Sequence, residues 1–384
     1  MHPVFKQAGE SADGTPGDGL KRSSRAVADL ERRGLTDPAD TAQLQAVAER
    51  FAVAITPAML DLIEPERAHD PIAAKFVPRT AELEHSENDL ADPIGDERHS
   101  PVPGIVHRYP DRLLLTPIRI CPVYCRFCFR RETVGRKGGG SLSAEELEAA
   151  LEYIAGHEEV WEVILSGGDP LILSPRRLRS IIQRLDSISH VKVIRIHTRV
   201  PVVSPESVGT PLIESLHTDK ALFVVLHSNH PRELTGAARR ACARFIDNGI
   251  PMLSQSVLLK GVNDDASTLE RLLRGLVENR IKPYYLHHAD RAPGTAHFRT
   301  TLKAGQSLME QLQGRMSGLC QPEYVLDIPG GAGKIPACAP RTEHLQGPLW
   351  RLRDYLGNEH VYSDDIGADG DFSGLRARAR RTRT

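Results

Sequence analysis

The chain has 384 residues, 40% of them hydrophobic and 26% charged, with a formal net charge of −1. That balance fits an ordinary globular protein with room for one large domain and additions, and it gives no whole-molecule electrostatic footprint for nucleic acid. No uninterrupted apolar run approaches a membrane span, the opening stretch has no apolar secretory core, and six cysteines, three of them clustered, do not read as a disulfide framework, so a reducing cytoplasm is the expected compartment.

Residues 1–24 are rich in Gly, Ser, Asp and Lys without periodicity and read as disordered. From about Asp37 to Ile63 apolar positions such as Leu44, Val47 and Phe51 recur at helical spacing, which predicts a helical N-terminal region over 25–107 with polar, proline-bearing sequence toward its end. At Arg112 the rhythm changes. Six short apolar runs follow: Leu113–Thr116, Val163–Leu165, Val191–Ile196, Leu222–Leu226, Met252–Val257 and Tyr284–Leu286. Amphipathic helical segments separate them. One opens on the capping box Ser143-Ala144-Glu145-Glu146 and carries Leu147, Leu151 and Ile154 on one face. Another has Ser174 as N-cap and Pro175 at its first helical position. Such alternation predicts an α/β fold with a parallel sheet and right-handed crossovers over 108–300. Six units make an open partial (β/α)6 barrel, with chemistry on the loops after the C-terminal ends of the strands. The segment 301–384 departs from the pattern, and its tail, Arg376–Thr384, is a short basic run expected to be solvated.

After the first run comes ICPVYCRFCFRR, with Cys121, Cys125 and Cys128 spaced C-x3-C-x2-C. Three thiolates can serve one metal centre, and a four-iron cluster held by three cysteines keeps one iron open for chemistry. A structural zinc site is the weaker alternative, because zinc favours two separated ligand pairs and no partner pair is visible. Cys242, Cys320 and Cys338 are scattered and read as buried packing. A second motif, DIPGGAGK at 327–334, is a glycine-rich turn ending in lysine. It is not a phosphate-binding P-loop, since Ile328 stands where the first glycine belongs and Ile335 where Ser or Thr follows the lysine.

The cysteine spacing resembles that of radical S-adenosylmethionine enzymes. Together with YPDR (109–112), SGGDP (166–170), HTR (197–199), QSVLLKGVND (255–264), HFRT (297–300), DPIAAKFVP (70–78) and the lysine turn, the chain resembles the lysine 2,3-aminomutase family over about residues 55–340. The resemblance implies a radical SAM partial (β/α)6 barrel with an N-terminal helical extension and a C-terminal segment bearing a pyridoxal phosphate lysine. It implies a 4Fe-4S cluster on Cys121, Cys125 and Cys128, and S-adenosylmethionine contacted by Ser166, Gly167, Gly168, Asp169 and His227, with His197 and Arg199 lining the same cavity. It further implies pyridoxal phosphate on Lys334, its phosphate held by Arg108, Arg112 and Gln255, and a substrate α-carboxylate on Arg130. Asp290 and Asp327 match the two aspartates that receive the ε-ammonium of lysine. The expected reaction is an isomerisation, L-lysine to β-lysine.

These roles suit the residue types. A lysine amine can hold pyridoxal phosphate covalently, and arginine forks match phosphate oxygens. Two carboxylates facing one ammonium favour a cationic side chain and disfavour glutamate. Lysine is the expected substrate, with another cationic amino acid, or β-lysine destined for an elongation factor, as alternatives. A radical enzyme without pyridoxal phosphate is a further one. A flavodoxin- or ferredoxin-type electron donor and a homo-oligomer are expected partners by resemblance. Some family members carry a C-terminal zinc site; here Asp265 replaces a cysteine and no cysteine lies beyond Cys338, so no zinc is expected.

Overall fold

The computed structural model describes residues 23–67, 69–84, 86–135 and 140–365. The expected disorder of 1–24 and the basic tail therefore lie almost wholly outside the described residues.

Nine strands, counted among the described residues, form one sheet in chain order. They are β1 (Ile105–Tyr109), β2 (Arg112–Ile118), β3 (Glu162–Gly167), β4 (Val193–Thr198), β5 (Ala221–His227), β6 (Met252–Val257), β7 (Ile281–His287), β8 (Glu323–Ile328) and β9 (Gly333–Pro336). Strands β2 to β8 run parallel, while β1 pairs antiparallel with β2 and β9 with β8. All six predicted runs are strands, β4 starting at Val193 rather than Val191. The α/β alternation continues past residue 300: helix Leu302–Leu312 leads into β8, a seventh parallel strand. The sheet is an open barrel whose edge strands meet through a side chain, the Lys334 N–H of β9 donating to the Tyr109 hydroxyl of β1 at 2.8 Å.

Strand periodicity separates two faces. Val163, Leu165, Ile194, Ile196, Val224 and Leu226 are buried in the core beneath the helices. Glu162, Ser166, Arg195, His197, His287 and Asp327 point the other way, into the barrel. The helices are specified locally. Ser143 accepts from Glu146 N at 3.1 Å while Glu146 accepts from Ser143 N at 2.8 Å, closing the capping box of Ala144–Ala155. Ser174 caps Pro175–Asp186, whose Leu178, Ile181, Ile182 and Leu185 are all buried. Truncating one such leucine to alanine costs about 2–5 kcal/mol. Asp265 caps Ala266–Glu278, accepting from Thr268 N at 2.8 Å.

The N-terminal region is less continuous than its periodicity predicts. Helix Thr41–Arg50 ends before an extended stretch, and a single turn follows at Pro57–Leu60. Proline forces its predecessor Thr56 out of the helical region (ψ 157°), and Ile55 instead bridges to Ser24. After β9, strands β10 (Thr342–His344), β11 (Leu349–Arg353) and β12 (Glu359–Ser363) make a separate antiparallel sheet. No helix among the described residues is long and apolar enough to cross a membrane.

Candidate active site

A cavity of about 590 Å³ fills the inner face of the barrel, and all fifteen site residues predicted from the sequence line it. They come from separate stretches of chain: Arg108 from β1, Arg112 from β2 and the cysteines and Arg130 from the loop after it, residues 166–169 from the end of β3, His227 from β5, Gln255 from β6, Asp290 from beyond β7, Asp327 from β8 and Lys334 from β9.

The cysteine loop after β2 is clamped from behind. Arg126, only 1% exposed, donates Nε to both Glu82 oxygens at 2.9 and 3.1 Å and Nη1 to Ala52 O at 2.8 Å. Arg131 also pairs with Glu82 and donates to Gly294 O at 2.9 Å. Glu82, with no solvent exposure, is therefore matched by two guanidinium groups, as a buried carboxylate requires. Only Arg130 of the three loop arginines faces the cavity. Burial pushes the Cys121 and Cys128 thiols up, Cys128 to about 11, with neighbouring Asp169 or Cys125 adding to it. Such thiols become thiolates only with a metal to hold them. A four-iron cluster takes each thiolate on a different iron, and three cysteines on one loop at the cavity wall suit such a group. Cys242 and Cys320 are buried as expected, whereas Cys338 is exposed: it sits just past the edge strand β9, beyond the reach of the core.

The Ser-Gly-Gly-Asp turn after β3 packs directly on the chain entering that loop. A Cβ on Gly168 would lie 2.1 Å from Ile120 O, and one on Gly167 (φ 105°) 2.6 Å from Ile118 O. Gly168 N donates to Ile118 O at 2.7 Å and Asp169 N to Ile120 O at 2.9 Å. The Asp169 carboxylate accepts from Thr198 Oγ1 at 2.7 Å, Arg199 N at 2.6 Å and Leu171 N at 3.1 Å. It braces the β3 and β4 loops together. On the cavity wall, Nε2 of His197 and of His227 is buried without a partner among the described residues. Burial holds both imidazoles well below 6.5, hence neutral. Unmatched buried nitrogens of this kind suit a polar ligand such as S-adenosylmethionine.

Across the cavity, Gly330, Gly331 and Gly333 adopt φ of 80°, 85° and 111° to turn the chain from β8 into β9. The loop 92–99 backs this turn: Gly330 N donates to Pro93 O at 3.0 Å and Arg98 Nη1 to Gly330 O at 2.6 Å. Lys334 Nζ lies 2.5 Å from Asp327 Oδ2, 3.2 Å from His287 Nδ1 and 5.4 Å from the centre of the Tyr285 ring. Burial works to raise the Asp327 carboxyl, but His287 and Lys334 together hold it well below the usual carboxylate range. Asp290 goes the other way: burial first, then the Asp327 charge, push it up to about 7.

The arginines are engaged within the protein. Arg130 Nε donates to Asp96 Oδ2 at 2.6 Å, and Arg108 Nη2 to Ile94 O at 2.5 Å with Asp96 Oδ1 at 3.4 Å. Arg108 Nη1 is 3.6 Å from Asp327. Arg112 pairs with Asp111 at 2.6 Å and covers the Tyr109 ring at 3.9 Å. Gln255 reaches the cavity from β6. A lysine amine, two arginines and an amide around one apolar-walled space suit pyridoxal phosphate. Sequence reasoning missed Asp96, which lies in an aperiodic polar stretch, and Tyr285, hidden among the strand residues of β7.

Residues 115–273 match the Radical SAM superfamily. The L-lysine 2,3-aminomutase of Acetoanaerobium sticklandii is 42% identical over 288 residues, 75% of this chain and 69% of that protein. The L-lysine 2,3-aminomutase of Clostridium subterminale is 40% identical over 314 residues, 82% and 75% of the two chains. The glutamate 2,3-aminomutase of Clostridioides difficile is 36% identical over 326 residues, 85% and 77%.

Proposed function

The chain belongs to the lysine 2,3-aminomutase family of radical S-adenosylmethionine enzymes, and from that premise we propose that it converts L-lysine to β-lysine using pyridoxal phosphate bound at Lys334. As a member of this family it is an isomerase. The observation that carries the substrate reading is the charge layout: Asp290 and Asp327 stand on the Lys334 side of the cavity, and Arg130 adjoins the cysteine loop. Arg130 and Arg108 share Asp96, and Arg108 reaches Asp327 at 3.6 Å, so one cavity offers two carboxylates for a cationic side chain and a guanidinium for its α-carboxylate. Glutamate would bring a second anion toward two carboxylates, an arrangement that costs several kcal/mol by like-charge juxtaposition.

When bound, the cluster and S-adenosylmethionine supply a 5′-deoxyadenosyl radical, and pyridoxal phosphate supplies a carrier for the migrating amine. The chain's own residues do the positioning. Cys121, Cys125 and Cys128 hold the cluster, and Ser166, Gly167, Gly168 and His227 face S-adenosylmethionine, with Asp169 bracing that turn. Arg108, Arg112 and Gln255 take the cofactor phosphate. Arg130 orients the α-carboxylate, which sets the reacting carbons near the radical source, and Asp290 and Asp327 take the ε-ammonium. Orientation of this kind can account for about 7–11 kcal/mol of a barrier.

An anaerobic assay of the reconstituted protein with pyridoxal phosphate, S-adenosylmethionine and dithionite tests this, with L-lysine, L-arginine and L-glutamate in parallel. The expected result is β-lysine well in excess of the S-adenosylmethionine consumed. Formation of 5′-deoxyadenosine without β-lysine would leave the radical chemistry and remove the substrate assignment.

A further inference from the structure

Behind the cysteine loop runs a line of buried ionic groups, Arg199, Glu233 and Lys75, of which only Arg199 also lines the cavity. Arg199, at the end of β4 and 7% exposed, directs one terminal nitrogen at the middle cysteine, Nη1 lying 2.7 Å from Cys125 Sγ. Its other terminal nitrogen, Nη2, is 3.3 and 3.2 Å from the two carboxylate oxygens of Glu233. Glu233 is fully buried and also accepts from the Ser228 hydroxyl at 2.9 Å and Asn229 N at 3.3 Å. Lys75, fully buried as well, forms an ion pair with Glu233. Lys75 comes from the N-terminal region and its carbonyl in turn accepts from Arg126 N of the cysteine loop at 2.8 Å.

The guanidinium is thus fixed along one edge and donates to sulfur along the other. Arginine does not lose its proton in a protein, so a positive charge stays against Cys125. The rings of Phe76 and Phe127, 5.2 and 5.7 Å from the Arg199 guanidinium carbon, screen it poorly compared with water. Burying such a group opposes folding unless it is paired, and packing alone would be met by apolar side chains of similar size. A hydrogen-bonded cation at a cluster ligand has a specific consequence: it favours the form of the cluster carrying one more electron.

We propose that Arg199, held in place by Glu233 and Lys75, is a positioning residue that raises the reduction potential of the iron–sulfur cluster through its hydrogen bond to Cys125. The inference rests on the reading of Cys121, Cys125 and Cys128 as the cluster ligands. The electron comes from a low-potential one-electron donor, dithionite in vitro, and no protein bond forms or breaks as the cluster accepts it.

The test is an electron-paramagnetic-resonance redox titration of the full chain, reconstituted anaerobically without S-adenosylmethionine or pyridoxal phosphate. Arg199→Gln should shift the midpoint to more negative potential at wild-type iron content. Arg199→Lys should shift it in the same direction by less, since one ammonium does not span Glu233 and Cys125 together. An unchanged midpoint in either fully loaded variant would overturn the proposal. So would two folded variants that both lack iron, because Arg199 would then serve cluster retention instead. Cys125→Ser separates the premise from the proposal: full iron content in that variant removes Cys125 as a ligand, whereas its loss beside an insensitive Arg199 refutes only the tuning role.

Discussion

Replacing Asp290 with asparagine should make the folded protein more stable at neutral pH while impairing its reaction. Burial, and then the Asp327 charge, raise the Asp290 carboxyl from 3.8 to about 7, with Lys334 and Arg130 offsetting only part of the rise. Between those values the folded protein keeps a proton that the unfolded chain has released. The unfolded state binds fewer protons there, so stability falls as pH rises from about 4 to about 7 and levels off above. At about 1.4 kcal/mol per pH unit, the interval of roughly three units amounts to about 4 kcal/mol. Asparagine is nearly isosteric and never charged. The variant should match the wild type near pH 4 and exceed it increasingly up to about pH 8, by several degrees in unfolding temperature. Thermal unfolding across that pH range, without cofactors, measures this directly. In turnover, losing one charge-assisted contact to the substrate ammonium is worth about 1.5–3 kcal/mol, a rise in KM of roughly 10- to 150-fold. A temperature gap that stays constant with pH, or a variant less stable at about pH 8, would refute the burial argument.

Three other perturbations probe the site from different sides. Gly168→Ala places a Cβ 2.1 Å from Ile120 O; it should cost about 1–3 kcal/mol and lower the iron bound per chain, read by thermal unfolding and iron assay. Lys334→Ala should abolish the visible absorbance of lysine-bound pyridoxal phosphate without altering the cluster spectrum; a persisting band would reassign the lysine. Arg130→Met should raise the KM for lysine by roughly 10-fold or more, and slow cleavage of S-adenosylmethionine in the absence of substrate should be unaffected. Equal KM values would take the carboxylate contact away from Arg130.

Much of the architecture was legible because it is written in short-range patterns. The apolar runs of β2 to β7 alternate with capped helices, and Ser143, Ser174 and Pro175 act within a few residues of where they stand. Strand β8 escaped although its apolar run, 324–326, is as long as that of β3. The interruption before Pro57 carried a signal, the proline itself, that periodicity overrode. Cys338 gave no local sign that it would lie outside the core.

The chemistry was likewise visible where it depends on spacing: three cysteines within eight residues and a lysine after a glycine turn state their own possibilities. Tertiary structure alone decided the state of the charges. Arg126, Arg130 and Arg131 look alike in the sequence, yet two are buried on Glu82, 44 and 49 residues away, and one lines the cavity and pairs with Asp96. Asp290 and Asp327 are both aspartates, yet one is pushed up to about 7 and the other held well below its usual range. Burial and the company of distant charges set those differences, and the linear order of residues carries neither.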